Sequence, residues 1–330
     1  MSNLSFNRMQ QKQVNVIEFF SGIGGLRSSY ERSSININAT FIPFDINEIA
    51  NKIYSKNFKE EVQVKNLDSI SIKQIESLNC NTWFMSPPCQ PYNNSIMSKH
   101  KDINDPRAKS VLHLYRDILP YLTNKPTHIF IENVPLFKES LVFKEIYNIL
   151  IKNQYYIKDI ICSPIDIGIP NSRTRYYVMA RLTPFKNDIQ LHQEKESMIS
   201  NYLDNNVNES YYIPSDLILK KGMLFDIVGK DDKRTCCFTK SYTKIVEGTG
   251  SIYCPIEPHF IPVKKAEDLL NKNLRYFTPN EIKKIHGFSS NFTTQIDGLT
   301  DKQQYQCLGN SVSCFVIAQL MEYLFDDLKE

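Results

Sequence analysis

Cys89 stands in Ser86-Pro-Pro-Cys-Gln-Pro-Tyr92, directly after the apolar run Thr82-Trp-Phe-Met85. A lone cysteine is most often buried filler, because a thiol behaves as a small hydrophobe. Here prolines at 87, 88 and 91 stiffen the loop, and a thiol held rigidly at a strand end is positioned for nucleophilic attack. Glu132, in Ile131-Glu-Asn-Val134, closes another strand-like run and is a candidate general acid. If the two strands neighbour each other in a parallel sheet, thiol and carboxyl share one cleft. A third stretch, Phe19-Phe-Ser-Gly-Ile-Gly-Gly-Leu26, has glycines at 22, 24 and 25 that permit a tight strand-to-helix turn with free amides at the helix start. A nucleotide-like ligand suits such a turn. The dinucleotide fingerprint would need another glycine where Arg27 stands, so an NAD site is matched incompletely. Asp45 follows at the end of the next strand-like run, where a carboxylate accepts hydrogen bonds from ribose hydroxyls. The blander alternative is a glycine turn that only closes a βα unit.

These groups need a scaffold that gathers strand ends at one edge. Strands are expected over 14–20, 39–44, 62–67, 83–85, 128–132, 155–162 and 176–181, and helices over 26–33, 48–56, 108–122 and 141–151. This alternation means βαβ units: an α/β, doubly wound, mostly parallel sheet with helices on both faces. From about residue 183 the pattern turns to Asn-rich connections and short apolar runs, which indicates a second, smaller domain. Residues 311–328 are amphipathic and helical again. Lys230-Asp-Asp-Lys-Arg234 reads as a solvated loop.

At 330 residues, the chain can bury a large core. Its 42% hydrophobic and 23% charged residues are ordinary for a folded protein, and no apolar run suggests a membrane span. The opening MSNLSFNRMQQKQ lacks a signal-peptide core, so an intracellular protein is expected. Eight scattered cysteines without a C-x-x-C pair, and six dispersed histidines, favour reduced thiols and no structural metal. A net charge of +3 permits nucleic-acid binding without arguing for it.

Five stretches in order, FFSGIGGL (19–26), PPCQPY (87–92), ENV (132–134), NSRTRYYVMA (171–180) and QCLGNSV (306–312), resemble the motif series of the cytosine-5 methyltransferases. Cys236-Cys-Phe-Thr-Lys240, Val246-Glu-Gly-Thr-Gly-Ser251, Arg275-Tyr-Phe-Thr-Pro279 and His286-Gly-Phe288 are similar to the target-recognition segment of that superfamily's small members. Those members look like DNA methyltransferases but methylate tRNA, mainly a cytosine in the anticodon loop of aspartate tRNA.

The resemblance implies the S-adenosylmethionine-dependent, Rossmann-like fold, with a catalytic domain over 1–185, a target-recognition domain over 186–299 and a return to the catalytic domain over 300–330. It implies Cys89 as the nucleophile on carbon 6 of cytosine, Glu132 as the acid at ring nitrogen 3, and Arg173 and Arg175 as holders of the target base and its backbone. S-adenosylmethionine, leaving as S-adenosylhomocysteine, would meet Phe20, Ser21, Gly22, Gly24, Gly25, Leu26, Asp45, Ile46, Asp68, Pro87, Asn310, Ser311 and Val312. Asp45 would take the ribose, Ile46 would lie near the adenine, and Asp68 would take the adenine amine. Gln90, Asn133, Cys237, Phe238, Thr239 and Lys240 would meet the substrate, with Lys233, Arg234, Lys240 and Lys244 near phosphates. The expected partner is tRNA, with DNA the alternative substrate and a catalytically weak nucleic-acid-binding protein the alternative from another class. A monomer in the cytoplasm or nucleus, away from membranes, is expected. Two places depart from the family pattern: Tyr92-Asn-Asn94 stands where Phe-Thr-Arg is usual, and Pro135-Leu136 where Lys-Gly is. Both lie where the target would pass.

Overall fold

The computed structural model describes residues 13–92, 101–195, 198–256 and 263–328. The departure at Asn93 and Asn94, and most of the polar N-terminal lead-in, therefore fall outside the described residues.

The first half builds β1 (Val14–Phe19), α1 (Gly25–Arg32), β2 (Ala39–Phe44), α2 (Glu48–Phe58), α3 (Ile72–Glu76), β3 (Thr82–Met85), α4 (Lys109–His113), β4 (His128–Asn133), α5 (Leu141–Lys152), β5 (Tyr156–Cys162) and β6 (Arg175–Arg181). The six strands form one sheet in the order β2-β1-β3-β4-β6-β5. β2, β1, β3 and β4 are mutually parallel, while β6 runs antiparallel between β4 and β5. Side-chain alternation assigns each face its own core. Ile17, Phe19, Trp83, Met85, Ile129 and Ile131 pack toward α4 and α5. Val14, Val16, Phe84, Phe130, Tyr177 and Met179 pack toward the helix that ends the chain.

Two expected elements differ. Over 62–67 only a single bridge forms, Gln63 with Phe44, before the chain enters a 3₁₀ turn at Leu67–Ser69. Pro43 accepts a hydrogen bond from the Gln63 amide but has no N–H to extend a ladder along β2, so the sheet ends there. The helix over 108–122 is α-helical only to His113, then widens to a π segment at Leu114–Ile118 and ends in a 3₁₀ turn at Leu119–Tyr121. Pro120 lacks the amide that a regular helix needs at that point.

The second half adds α6 (Ser215–Lys221), β7 (Ile227–Val228), β8 (Ile252–Tyr253), β9 (Arg275–Tyr276), α7 (Pro279–Ile285), α8 (Asp301–Gly309) and α9 (Cys314–Leu324). Its small sheet has the order β7-β8-β9. A third core joins the two regions: Ile23, Ala50 and Ile53 from the first half pack with Phe238, Tyr242, Phe277, Ile285 and Leu308. The segment Asp301–Leu324 is apolar enough for a membrane span by composition, yet it is divided between α8 and α9, and 67% of its most apolar window is buried inside the fold. Arg181, fully buried at the end of β6, ties down the chain end through Asp326, Asp327 and the Leu324 carbonyl. His128 on β4 reaches Asp327 at 3.0 Å. With these partners, and despite partial burial, Asp327 is held down at about 2.

Candidate active site

β3 and β4 are paired in register, Met85 opposite Ile131, so the loop carrying Cys89 and the end of β4 leave the sheet side by side. Asn133 fixes this junction: its amide donates to the Pro87 carbonyl at 3.0 Å, while its side-chain oxygen accepts from the Val134 amide at 2.8 Å. Glu132 lies opposite Tyr177 on β6. Two positions before Tyr177, and therefore on the same face, Arg175 brings its Nε to 3.3 Å from Glu132 Oε1. Burial pushes Glu132 above the ordinary carboxyl range, opposed by Arg175, Arg173 and a hydrogen bond from the Ser86 side chain. Arg175 and Arg107 both lie within electrostatic reach of Cys89. A thiol, a carboxyl inclined to keep its proton and a guanidinium thus meet at one strand edge.

Cys237 joins them from the second half. Arg173 donates to its sulfur at 3.4 Å and Arg175 at 3.9 Å. Burial pushes this thiol up, but the two arginines together hold it below its ordinary value. Clefts of about 440 and 480 Å³ lie elsewhere, the first beside Arg27 and Arg32 and the second beside Lys233 and Arg234; neither is lined by Cys89, Glu132 or Arg175.

At the neighbouring strand ends, β1 turns into α1. Phe20 and Gly22 both have positive φ, 55° and 53°, and a Cβ on Gly22 would meet nothing within 4 Å. The other two glycines serve packing: a Cβ on Gly24 would lie 2.2 Å from the Phe58 ring, and one on Gly25 would lie 2.6 Å from Val312. Asp45 accepts from the Gly22 amide and the Asn47 amide, each at 2.8 Å, which shapes the loop; burial nevertheless raises its pKa. Ser21 and Ser311 hydroxyls are buried without partners, and Ile46 is left 71% exposed beside Asp45. Open space over Gly22, two unsatisfied hydroxyls and a bare apolar side chain beside a carboxylate fit a ligand with both a polar tail and a flat apolar ring.

Residues 14–326 match the family described as C-5 cytosine-specific DNA methylase. The chain belongs to that family. It is 33% identical to the tRNA (cytosine(38)-C(5))-methyltransferase of Schizosaccharomyces pombe, over 97% of this chain and 99% of that protein. It is equally 33% identical to a DNA (cytosine-5)-methyltransferase of Dictyostelium discoideum, over 97% and 96%. Among solved structures, Entamoeba histolytica methyltransferase EhMeth superposes with a TM-score of 0.95 at 99% identity, covering 97% of this chain and all of that one. The C-5 cytosine methylases use S-adenosylmethionine as methyl donor, and the β1–α1 loop with Asp45 and Ile46 has the groups to hold it.

Several expected site residues of the methylase have other work. Arg173 is buried, and its fork donates to the carbonyls of Phe238 and Gly309 at 3.3 Å and to that of Ser311. It staples three segments together, while its buried Nε has no hydrogen-bond partner among the described residues. The Phe238 ring is 1% exposed, wedged edge-on against Tyr242 and Phe277, so only its backbone belongs to the site. Leu26 and Val312 are likewise core side chains, and Asn133 holds the Cys89 loop instead of facing outward. Thr239 is bound by its amide to the Thr249 carbonyl, and Lys240 is exposed. The Gln90 side-chain oxygen, next to Cys89 in the chain, is buried and unpartnered. Asn310 is exposed, and Asp68 accepts a hydrogen bond from Ser110. Arg234 pairs with Asp226 at 2.7 Å and is not a spare cation.

Ser86, Arg107 and Glu18 were not singled out from sequence. Ser86 was legible as the polar residue opening the proline loop. Glu18 was legible as the one acid inside an apolar strand; it accepts from the Tyr54 hydroxyl at 2.9 Å and from the Arg27 amide at 3.3 Å. Arg107, bound bidentately to Asp105, carries no local signal of its nearness to Cys89.

Proposed function

We propose that this methyltransferase acts on carbon 5 of a cytosine in tRNA, at position 38 in the anticodon loop of aspartate tRNA. The Cys89 loop beside the Glu132–Arg175 pair is the observation that carries this reading. Cys89 adds as thiolate to carbon 6 of the base, and Glu132, protonated through burial, donates to ring nitrogen 3 as electrons reach it. Arg175 orients that carboxyl and faces the substrate backbone. Bound S-adenosylmethionine supplies an electrophilic methyl group to carbon 5. Carbon 5 then gives its proton to water, Cys89 leaves as thiolate, the ring nitrogen returns its proton to Glu132, and S-adenosylhomocysteine departs. Ser21, Gly22, Asp45, Ile46, Asp68 and Ser311 hold the donor. Residues 186–299 form the target-recognition domain, and 300–330 belong to the catalytic domain, in line with the packing of α9 against α1 and the main sheet.

A loop base costs less to extrude than one in a duplex, and the relatives named for tRNA support RNA as substrate. The Dictyostelium relative, named for DNA, favours DNA as the second reading. An intracellular, monomeric enzyme accords with both. The test is transfer of labelled methyl from S-adenosylmethionine to purified tRNA and to duplex DNA. Labelling of tRNA at cytosine 38, reduced by about a thousandfold or more in Cys89→Ala, is expected. Cys89-dependent labelling of DNA alone would replace the first reading with the second, and transfer to neither would leave a binding protein.

A further inference from the structure

The turn that carries Asp68 has little structure of its own. It is a single 3₁₀ turn, Leu67–Ser69, closed by a long 3.5 Å bond from the Ile70 amide to the Leu67 carbonyl. The Asn66 side chain caps it by accepting from the Asp68 amide at 3.0 Å. Leu67 and Ile70 anchor it in the core, the Ser69 hydroxyl donates to the Asn66 carbonyl at 3.4 Å, and further polar contacts come from one face of the helix beginning at Lys109. The Ser110 hydroxyl donates to Asp68 Oδ1. One turn further on, His113 places Nε2 at 2.8 Å from the Ile70 carbonyl, and its Nδ1 is held at 2.8 Å by Asp117. Positions 110, 113 and 117 share a helical face. Tyr115 and Leu114, from the same helix, are fully buried against the sheet, so this face has little freedom to move.

We infer that Ser110 is a positioning residue for the methyl donor: by occupying Oδ1 it turns Asp68 so that Oδ2 accepts from the adenine amine. This rests on the reading of Asp68 as the adenine partner. A partly buried carboxylate on a weak turn still has side-chain freedom, and a hydrogen bond to one oxygen removes that freedom while leaving the second oxygen available. Ser110 thereby contributes to the choice of adenine over a purine bearing a keto oxygen at the same position, since that oxygen would face the carboxylate with no proton between them.

The test compares binding of S-adenosylhomocysteine with that of S-inosylhomocysteine, in which the amine is replaced by a keto oxygen, by titration calorimetry. The wild type should favour the adenosyl ligand by about tenfold or more, and Asp68→Asn should narrow or reverse that preference. Ser110→Ala should weaken adenosyl binding by about three- to tenfold while changing inosyl binding little, and Ser110→Thr, which keeps the hydroxyl, should restore it. If Asp68→Asn narrows the preference and Ser110→Ala does not, the role of Ser110 is overturned and the adenine reading stands. If Asp68→Asn leaves the preference intact, the adenine reading fails and the inference with it. Equal weakening of both ligands in Ser110→Ala would make the hydroxyl merely structural and would also overturn it.

Discussion

At the scale of single residues, two arginines two positions apart have separated tasks. Arg173 spends its fork on three backbone carbonyls from distant segments, whereas Arg175 faces Glu132 and the Cys89 loop. Lysine keeps the charge but loses the planar fork, so the two conservative variants should fail differently. Arg173→Lys should lower the thermal midpoint by about a few degrees, as buried carbonyls lose their donor. Arg175→Lys should leave the midpoint nearly unchanged and cut the methyl-transfer rate by about tenfold or more. Differential scanning fluorimetry and initial rates on the same preparations distinguish the two. The motif NSRTR showed both arginines, but their spacing could not reveal that one would be buried among carbonyls contributed from 65 and more residues away.

At the scale of elements, β1, α1 and α2 meet at Glu18. The carboxyl accepts from the α1 backbone at Arg27 and from Tyr54 of α2, next to the β1–α1 turn. Burial pushes its pKa up from 4.5 to about 8, only partly opposed by Tyr54 and Arg27. The folded protein keeps a proton that the unfolded chain releases, so this junction is most stable below about 4.5 and weakens as pH rises toward 8. Between about pH 6 and pH 9 the wild type should therefore lose on the order of a few kcal/mol that Glu18→Gln does not lose. Urea unfolding of both proteins at the two pH values measures this, and parallel pH profiles would contradict it. The acid at position 18 was visible as an interruption of the hydrophobic strand, but the element boundaries around it were easier to read than its partners. β2 matched over 39–44 because Thr40, Phe41, Ile42 and Phe44 have strand-forming character and polar turns bound the run. The strand expected over 62–67 failed because ladder growth depends on the neighbour's free N–H groups, and Pro43 removes one.

At the scale of the whole molecule, the two regions share the core formed by Ile23 and α2 residues Ala50 and Ile53 with Phe238, Phe277, Ile285 and Leu308. Separating the regions would expose that surface, so heat should unfold the chain in one calorimetric transition, and two resolved transitions would show that the shared core does not couple them. Gly309 marks how close the approach is: a Cβ there would lie 2.2 Å from the backbone at Thr239 and Lys240. The sequence by itself determined the α/β class, the proline-stiffened loop that carries Cys89, the position of Glu132 in β4 and the family, because each is carried by residues contiguous in the chain or by the local period of hydrophobicity. Only the tertiary structure decided which candidate residues are buried in packing and which are left open, that β6 runs antiparallel to β4, and that Ser110 holds Asp68. Those outcomes depend on contacts between residues far apart in sequence, whose geometry is set by how whole elements pack.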